Sequence, residues 1–253
     1  MLIISSQENK AIPYHDKVIN TITSKMMHLD PQLLNFNWYI SGSFAVNSLY
    51  APSKHSNDVD FYFFNENDYL ECLNYLKSKY LDFHYSTEFA DTFTNLNIQL
   101  VKKWFLPPEE LIYTHDFVNV SVAISKEKIY TTKETHFSWY NETLKLRNFQ
   151  ISKNPPATDY EKVVALIQLT ERSNKYLDRY ELDISPSFKS FLYAQKAFLE
   201  TLDPSAFTAE QPVILTYYGS PVDHSTQITS AISSLKSLLQ IESSEFVWPE
   251  RVF

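Results

Sequence analysis

The chain has 253 residues, a net charge of −8, 44% hydrophobic residues, one cysteine and 2 glycines. That apolar content supports a packed core, and the length suits one large or two small domains. Two glycines rule out a Gly-rich phosphate loop, the acidic balance argues against a non-specific nucleic-acid coat, and a lone Cys72 excludes an internal disulfide and a cysteine-based zinc site.

The first residues, MLIISSQENK, lack a basic region and carry only a short apolar run, and no stretch reaches 18 consecutive apolar residues. The expectation is a soluble cytoplasmic protein without a signal peptide or membrane span. Val18, Ile19, Ile22 and Met26 form one stripe, so residues 13–28 read as a helix with Pro13 at its start. Asp30-Pro31 ends it. Phe36, Trp38 and Ile40 alternate with Asn37 and Tyr39, a strand that runs into Gly42. Residues 44–50 read as a short helix, 51–57 as a polar loop holding Lys54 and His55, and 59–64 as a second strand. Lys54 and His55 have two readings, a phosphate or base contact and a solvated loop.

Asn65 and Asp68 have the pattern of an N-cap and its N3 partner. Tyr69, Leu73, Leu76 and Tyr80 then stripe a helix, in which Cys72 reads as a small packing residue. Residues 81–85 read as a short strand or connection, 88–94 as a loop or short helix, and 97–103 as a third strand. Pro107-Pro108-Glu109-Glu110 opens a short helix ending near Thr114. Val118, Val120, Val122 and Ile124 alternate with Asn119, Ser121 and Ala123, which predicts another strand, and Ile129-Tyr130 begins a further one or a turn.

The chemistry concentrates between Trp38 and Phe64. Asp58 and Asp60 sit two apart at the head of an apolar strand, so both carboxylates leave one face, roughly 6–7 Å apart at Cα. Two oxygen donors at that spacing suit one or two Mg2+ ions that also hold a triphosphate. Gly42-Ser43 at a helix start turns backbone N–H groups toward phosphate oxygens. Read without chemistry, the same residues are an ordinary turn and an exposed strand, yet Asp is depleted in strand interiors.

A Gly-Ser turn, a helix, a loop and an Asp-x-Asp strand together resemble the nucleotidyltransferase superfamily typified by DNA polymerase beta. Asn57-Asp58-Val59-Asp60 with the later Asp116-Phe117 resembles the small stand-alone members found in phage genomes. The resemblance implies an α+β fold: a mixed sheet flanked by helices, then a mostly helical C-terminal region. It implies Mg2+, two ions in a full site, with a nucleoside triphosphate as substrate, and a third carboxylate from a later strand. Two positions compete for that acid. Gln99, mid-strand, stands where many members carry the acid and cannot act as a base. Asp116, at the entry to the next strand, is the favoured candidate, in a segment where His115 replaces the family's first Phe.

Beyond residue 150 the polar, proline-containing 152–156 reads as a hinge. It divides the chain into a 1–150 nucleotidyltransferase-like domain and a 151–253 helical domain. Thr158 and Glu161 match a capping box for a helix to about Asp178, with Val163, Val164, Ile167 and Thr170 inward. Arg172 and Lys175 lie three apart near its end and, with Tyr176, resemble a short family feature. They read either as triphosphate ligands or as a solvated basic end of the helix. Residues 187–202 and 225–241 read as helices, 204–211 as a loop, 213–218 as extended, Gly219-Ser220-Pro221 as a turn, and 246–253 as an aromatic tail that docks on the body.

The implied activity moves an NMP from an NTP to a hydroxyl acceptor, which is an RNA or tRNA 3′ end, a small molecule or a protein. The alternative is a catalytically degenerate module of the same fold that binds a protein or nucleotide.

Overall fold

Trp38, Ile40, Phe61, Phe63, Ile98 and Leu100 are buried, and they occupy paired positions on three neighbouring strands. Paired residues share a sheet face, so these six make a single apolar layer. The computed structural model describes residues 2–5, 15–56, 58–147 and 158–202, with positions 233, 235 and 237–239. Two compact units divide the chain, Met1–Thr143 and Leu144–Phe253.

The first unit holds an eight-stranded sheet of β1 (Leu2–Ser5), β2 (Trp38–Ser41), β3 (Val59–Phe63), β4 (His84–Ser86), β5 (Ala90–Phe93), β6 (Ile98–Phe105), β7 (Ala123–Ser125) and β8 (Lys128–Thr131). Their order is β1-β8-β7-β2-β3-β6-β5-β4. The β3–β6 pair is parallel, and the other described pairings are antiparallel. Helix α1 (His15–Leu29) buries Val18, Ile22 and Met26, and α2 (Ser43–Leu49) joins β2 to β3. Helix α3 (Glu66–Tyr80) packs on β3, β5 and β6. It starts as the sequence predicts, with the Asn65 side chain accepting from Asp68 N at 3.0 Å. Tyr69, Cys72, Leu73 and Leu76 form its buried stripe, and burial pushes the Cys72 thiol up to about 12.

Two buried carboxylates tie α3 down. Asp30 caps the short turn before β2 and accepts from the Tyr75 and Tyr80 hydroxyls and Lys79 Nζ, all within 3.1 Å. Asp91, on β5, accepts from Tyr69, from His84 Nε2 at 2.6 Å, and from Lys102 Nζ at 3.1 Å. Burial pushes the Asp91 carboxyl up, but these donors outweigh burial and hold its pKa at about 2.

The opposite sheet face stacks Tyr39 on Tyr62, ring centroids 5.8 Å apart. Leu111 of α4 (Pro108–Leu111), with Ile112, Ala123 and Tyr130, covers them. Helix α5 (Lys133–Tyr140), which the sequence reading missed, starts on a Thr132 cap that accepts from Thr135 N at 3.0 Å. It anchors the end of α2, because Tyr50 stacks on Trp139 and its hydroxyl bonds His136 Nδ1 at 2.8 Å.

Two expectations give way here. Residues 88–94 are mostly a strand, β5, with a bend at 88–89 and a turn at 94, and hold no helix. Its polar Ala-Asp-Thr-Phe sequence hides it, since Asp91 is neutralised from within the core. Residues 118–124 form a 3-10 turn (Val118–Val120) before the short β7. Every residue from Phe117 to Ile124 is buried, so the apolar alternation there does not mark two faces of a strand.

In the second unit α6 (Asp159–Tyr180) carries both hydrogen bonds of the Thr158–Glu161 capping box. Val163, Leu166, Leu169, Thr170, Ser173 and Tyr180 are its buried positions among the described residues, while Val164 and Ile167 are half-buried. A two-stranded sheet of β9 (Thr143–Leu144) and β10 (Asp183–Ile184) precedes α7 (Pro186–Glu200), which buries Phe188, Leu192 and Leu199. Positions 233, 235 and 237–239 are helical, with Leu235, Leu238 and Leu239 buried. The predicted hinge at 152–156, the elements between 204 and 221, and the 246–253 tail lie outside the described residues. Among those described, no helix is long and apolar enough to cross a membrane.

Candidate functional site

Strand pairing assembles a polar row on the Tyr39–Tyr62 face of the sheet, next to the part that Leu111 covers. Asp60 pairs with Ser41 on β2 and with Gln99 on β6. Asp58, two residues before Asp60, lies toward the same face. Gln99 Nε2 donates to Asp58 Oδ2 at 3.3 Å. Val59 between the two acids is buried, and both carboxylates are half-buried. Ser56 Oγ donates to the Asp58 carbonyl at 2.9 Å and braces the backbone entering the strand.

Gly42 presses on this row. Its φ of 78° and ψ of −158° lie in a region that side chains other than glycine's rarely enter. A Cβ there would stand 2.5 Å from Asp60 Oδ2. The turn and the Asp-x-Asp strand are therefore one steric unit, and Gly42 is required where a strand end, a helix start and a carboxylate meet. Val46 N donates to Gly42 O at 3.1 Å, so the turn leads straight into α2. Ser43, the first residue of α2, is buried.

His115 and Asp116 belong to the turn between α4 and Val118–Val120. Ser41 Oγ lies 2.9 Å from His115 Nε2 and donates its only hydrogen to Val122 O at 2.7 Å. His115 Nε2 is therefore the donor of that pair. Leu111 and Ile112 lie on Tyr39 and Tyr62, and His115 reaches Ser41, so the connection bearing Asp116 crosses the face that carries Asp60. Among the described residues no group of three or more His, Cys, Asp and Glu side chains is arranged to hold a metal ion.

Gln99 stands in the strand beside Asp60, the position where the sequence reading weighed a third acid, and contributes an amide. Asp58 and Asp60 are an all-oxygen donor pair. Mg2+ is commonly bound by one or two carboxylates plus substrate phosphates, so the residues present fit that ion.

Arg172 and Lys175 lie on α6 in the second unit, Arg172 half-buried and Lys175 exposed. Lys54 and His55 line a cleft beside α1 and α2. Asn57 lies outside the described residues. Ser41 and His115 were not singled out from sequence as site residues. The signal for Ser41 was its place at the end of a period-2 strand that leads into Gly42.

A family model described as Gad2, Gabija anti-defense 2 family protein, matches residues 14–141. No curated protein matches the chain. Among solved structures, a CCA-adding enzyme in complex with ATP aligns over 99% of this chain and 59% of its own, at 11% identity and a TM-score of 0.50. A CCA-adding enzyme with CTP aligns over 81% of this chain and 48% of its own, at 12% identity and a TM-score of 0.50. The Thermotoga maritima CCA-adding enzyme complexed with tRNA aligns over 99% and 58%, at 11% identity and a TM-score of 0.48. The chain thus spans about half to three fifths of the length of these enzymes, and the likeness is one of fold: α+β, nucleotidyltransferase-like.

Proposed function

The chain belongs to the Gabija anti-defense 2 family, and we propose that it acts there as a Mg2+-dependent nucleotidyltransferase. In this reading it transfers an NMP from an NTP to a hydroxyl acceptor and releases pyrophosphate. The observation that carries the reading is the contact between the Gly42 turn and Asp60, with Asp58 on the same face. Only glycine lets the turn come this close to the carboxylate, since a Cβ would clash with Asp60 Oδ2.

Asp58 and Asp60 would hold Mg2+, which would supply charge neutralisation at the α-phosphate and the leaving pyrophosphate. Gly42 and Ser43 lie against the triphosphate. The acceptor oxygen forms its bond to the α-phosphorus as the α–β bridging bond breaks. The electron pair leaves with pyrophosphate, and the acceptor proton passes to Asp116. The nucleotidyltransferase-like fold supports this chemistry, and the family description motivates an acceptor within the Gabija defence machinery: a protein hydroxyl or an RNA or tRNA 3′ end. The site of action is then the host cytoplasm, with the chain encoded by a phage.

A second reading has its own observation. Gln99 beside Asp60, in place of an acid, favours a module that binds nucleotide or protein without transfer.

The test incubates the full chain with Mg2+ and α-labelled NTPs in extract containing the Gabija proteins, and follows label on protein and RNA. Label transfer lost in both Asp58→Asn and Asp60→Asn supports the enzyme. Suppression of Gabija that survives both substitutions, without any label transfer, sinks it and favours the binding module. Asp116→Asn with full activity removes Asp116 from the mechanism and leaves the other roles intact.

A further inference from the structure

A cleft of about 530 Å3 opens between α1, α2 and the loop 52–56, within the size range of small-molecule sites. Lys17, Thr21 and Lys25 follow one another at four-residue intervals along α1 and form one wall. Lys54 and His55 face them from the loop, and Phe44 and Ser48 contribute from α2. No Asp or Glu is found among the described residues that line it. Neither Lys17 nor Lys25 enters an ion pair among the described residues. In a chain with 30 acidic and 22 basic residues, three lysines around an acid-free cleft are a local inversion of charge.

We propose that this cleft is a second ligand site, separate from Asp58 and Asp60, that takes a nucleoside monophosphate unit. The lining has both parts such a ligand needs. Lysine ammonium groups bind phosphate oxygens directly, without an intervening cation. Phe44, with Leu49 and Pro52 beside it, offers an apolar surface against which a base lies. The two sites differ in kind: a pair of carboxylates attracts a phosphate only through a metal ion, whereas the lysine cleft attracts it unaided. The inference rests on the cleft alone and stands or falls apart from nucleotidyl transfer. Ser56, also in the lining, braces Asp58, so a ligand seated here adjoins the strand of the Asp pair. The nucleotide unit has two possible sources, a free mononucleotide or the end of an RNA strand.

Calorimetric titration in EDTA separates the sites. The full chain is titrated with each of the four ribonucleoside 5′-monophosphates, with a 5′-phosphorylated RNA trinucleotide, and with inorganic phosphate. The expected result is metal-independent binding of a mononucleotide or the trinucleotide, and the tighter of the two names the source. The exposed double variant Lys17→Ala/Lys25→Ala weakens it about tenfold or more, and Asp58→Asn/Asp60→Asn leaves it unchanged. The proposal is overturned if no nucleotide binds in EDTA, if the lysine pair is without effect, or if inorganic phosphate binds as tightly as the nucleotides.

Discussion

Gly42→Ala isolates the steric unit at the centre of the site. The new Cβ would stand 2.5 Å from Asp60 Oδ2 and 3.6 Å from its Cγ, so only the carboxylate oxygen lies well inside contact distance. That oxygen is the far end of a short side chain and relieves the clash by rotating away. Rotation off its rotamer costs about 1 kcal/mol and removes Oδ2 from where a cation would meet it. The backbone cost is separate. A φ of 78° with ψ of −158° is strained for alanine by about 1–3 kcal/mol. For a chain of this size, each kcal/mol lowers Tm by roughly 2–4 °C.

Substituting in the Asp60→Ala background divides the two effects, because the remaining Asp60 Cβ sits at 3.9 Å, ordinary contact. The cycle is read by urea unfolding for stability and by calorimetry for Mg2+-NTP binding. Gly42→Ala is expected to cost about 2 kcal/mol or more alone and about 1 kcal/mol less in the Asp60→Ala background. Metal-dependent NTP binding is expected to fall as far in Gly42→Ala as in Asp60→Ala. Undiminished binding, or an equal stability cost in both backgrounds, would refute the coupling of turn and carboxylate.

The Asp91 carboxyl is held at about 2, below its ordinary 3.8. Its stabilisation is therefore complete at neutral pH, fades as pH falls through about 4, and is lost below about 2, a span worth about 2 kcal/mol. The stability advantage of the wild type over Asp91→Asn is expected to shrink across that window, and a constant advantage would exclude the linkage. Thr158→Ala removes the hydroxyl that accepts from Glu161 N in the α6 capping box, leaves the bond from Thr158 N to the Glu161 carboxylate, and is expected to cost about 1 kcal/mol in urea unfolding. Gln99→Glu sets a third carboxylate beside Asp58 and Asp60. Tm is expected to fall without metal through like-charge repulsion and to rise above that value on adding Mg2+, with a larger Mg2+ increment than the wild type shows. An equal increment would mean that position 99 does not face the cation.

Much of the fold was legible because its signals are local. The stripe Val18, Ile22, Met26 and the caps at Asn65 and Thr158 each state a helix within a few residues. The alternation Trp38, Ile40 and Phe61, Phe63 states two strands with one shared face. The failures are long-range. Strand β5 holds a charged residue in the core, which is tolerable only because Tyr69, His84 and Lys102 arrive from α3, β4 and β6. None of them is recognisable as an Asp91 partner in the sequence. Helix α5 lacks a strong stripe, and its work, holding Tyr50 at the end of α2, is a contact across 86 residues.

The same division governs the site. Gly42, Asp58 and Asp60 fall within 19 residues of sequence, and their chemistry is readable from spacing. What completes the row comes from elsewhere: Gln99 through parallel pairing of β6 with β3, and His115 through a hydrogen bond to Ser41. A carboxamide on β6 beside the two carboxylates of β3 lowers the negative charge the row must carry in the absence of metal. It also lowers the field that would hold a cation between substrates. Under the proposed function, metal retention would then depend on the triphosphate's own oxygens, so Mg2+ and NTP are expected to bind as a unit, each weakly alone. A titration that finds tight Mg2+ binding without nucleotide would contradict that dependence and point to an acid, Asp116 foremost, standing closer to the pair.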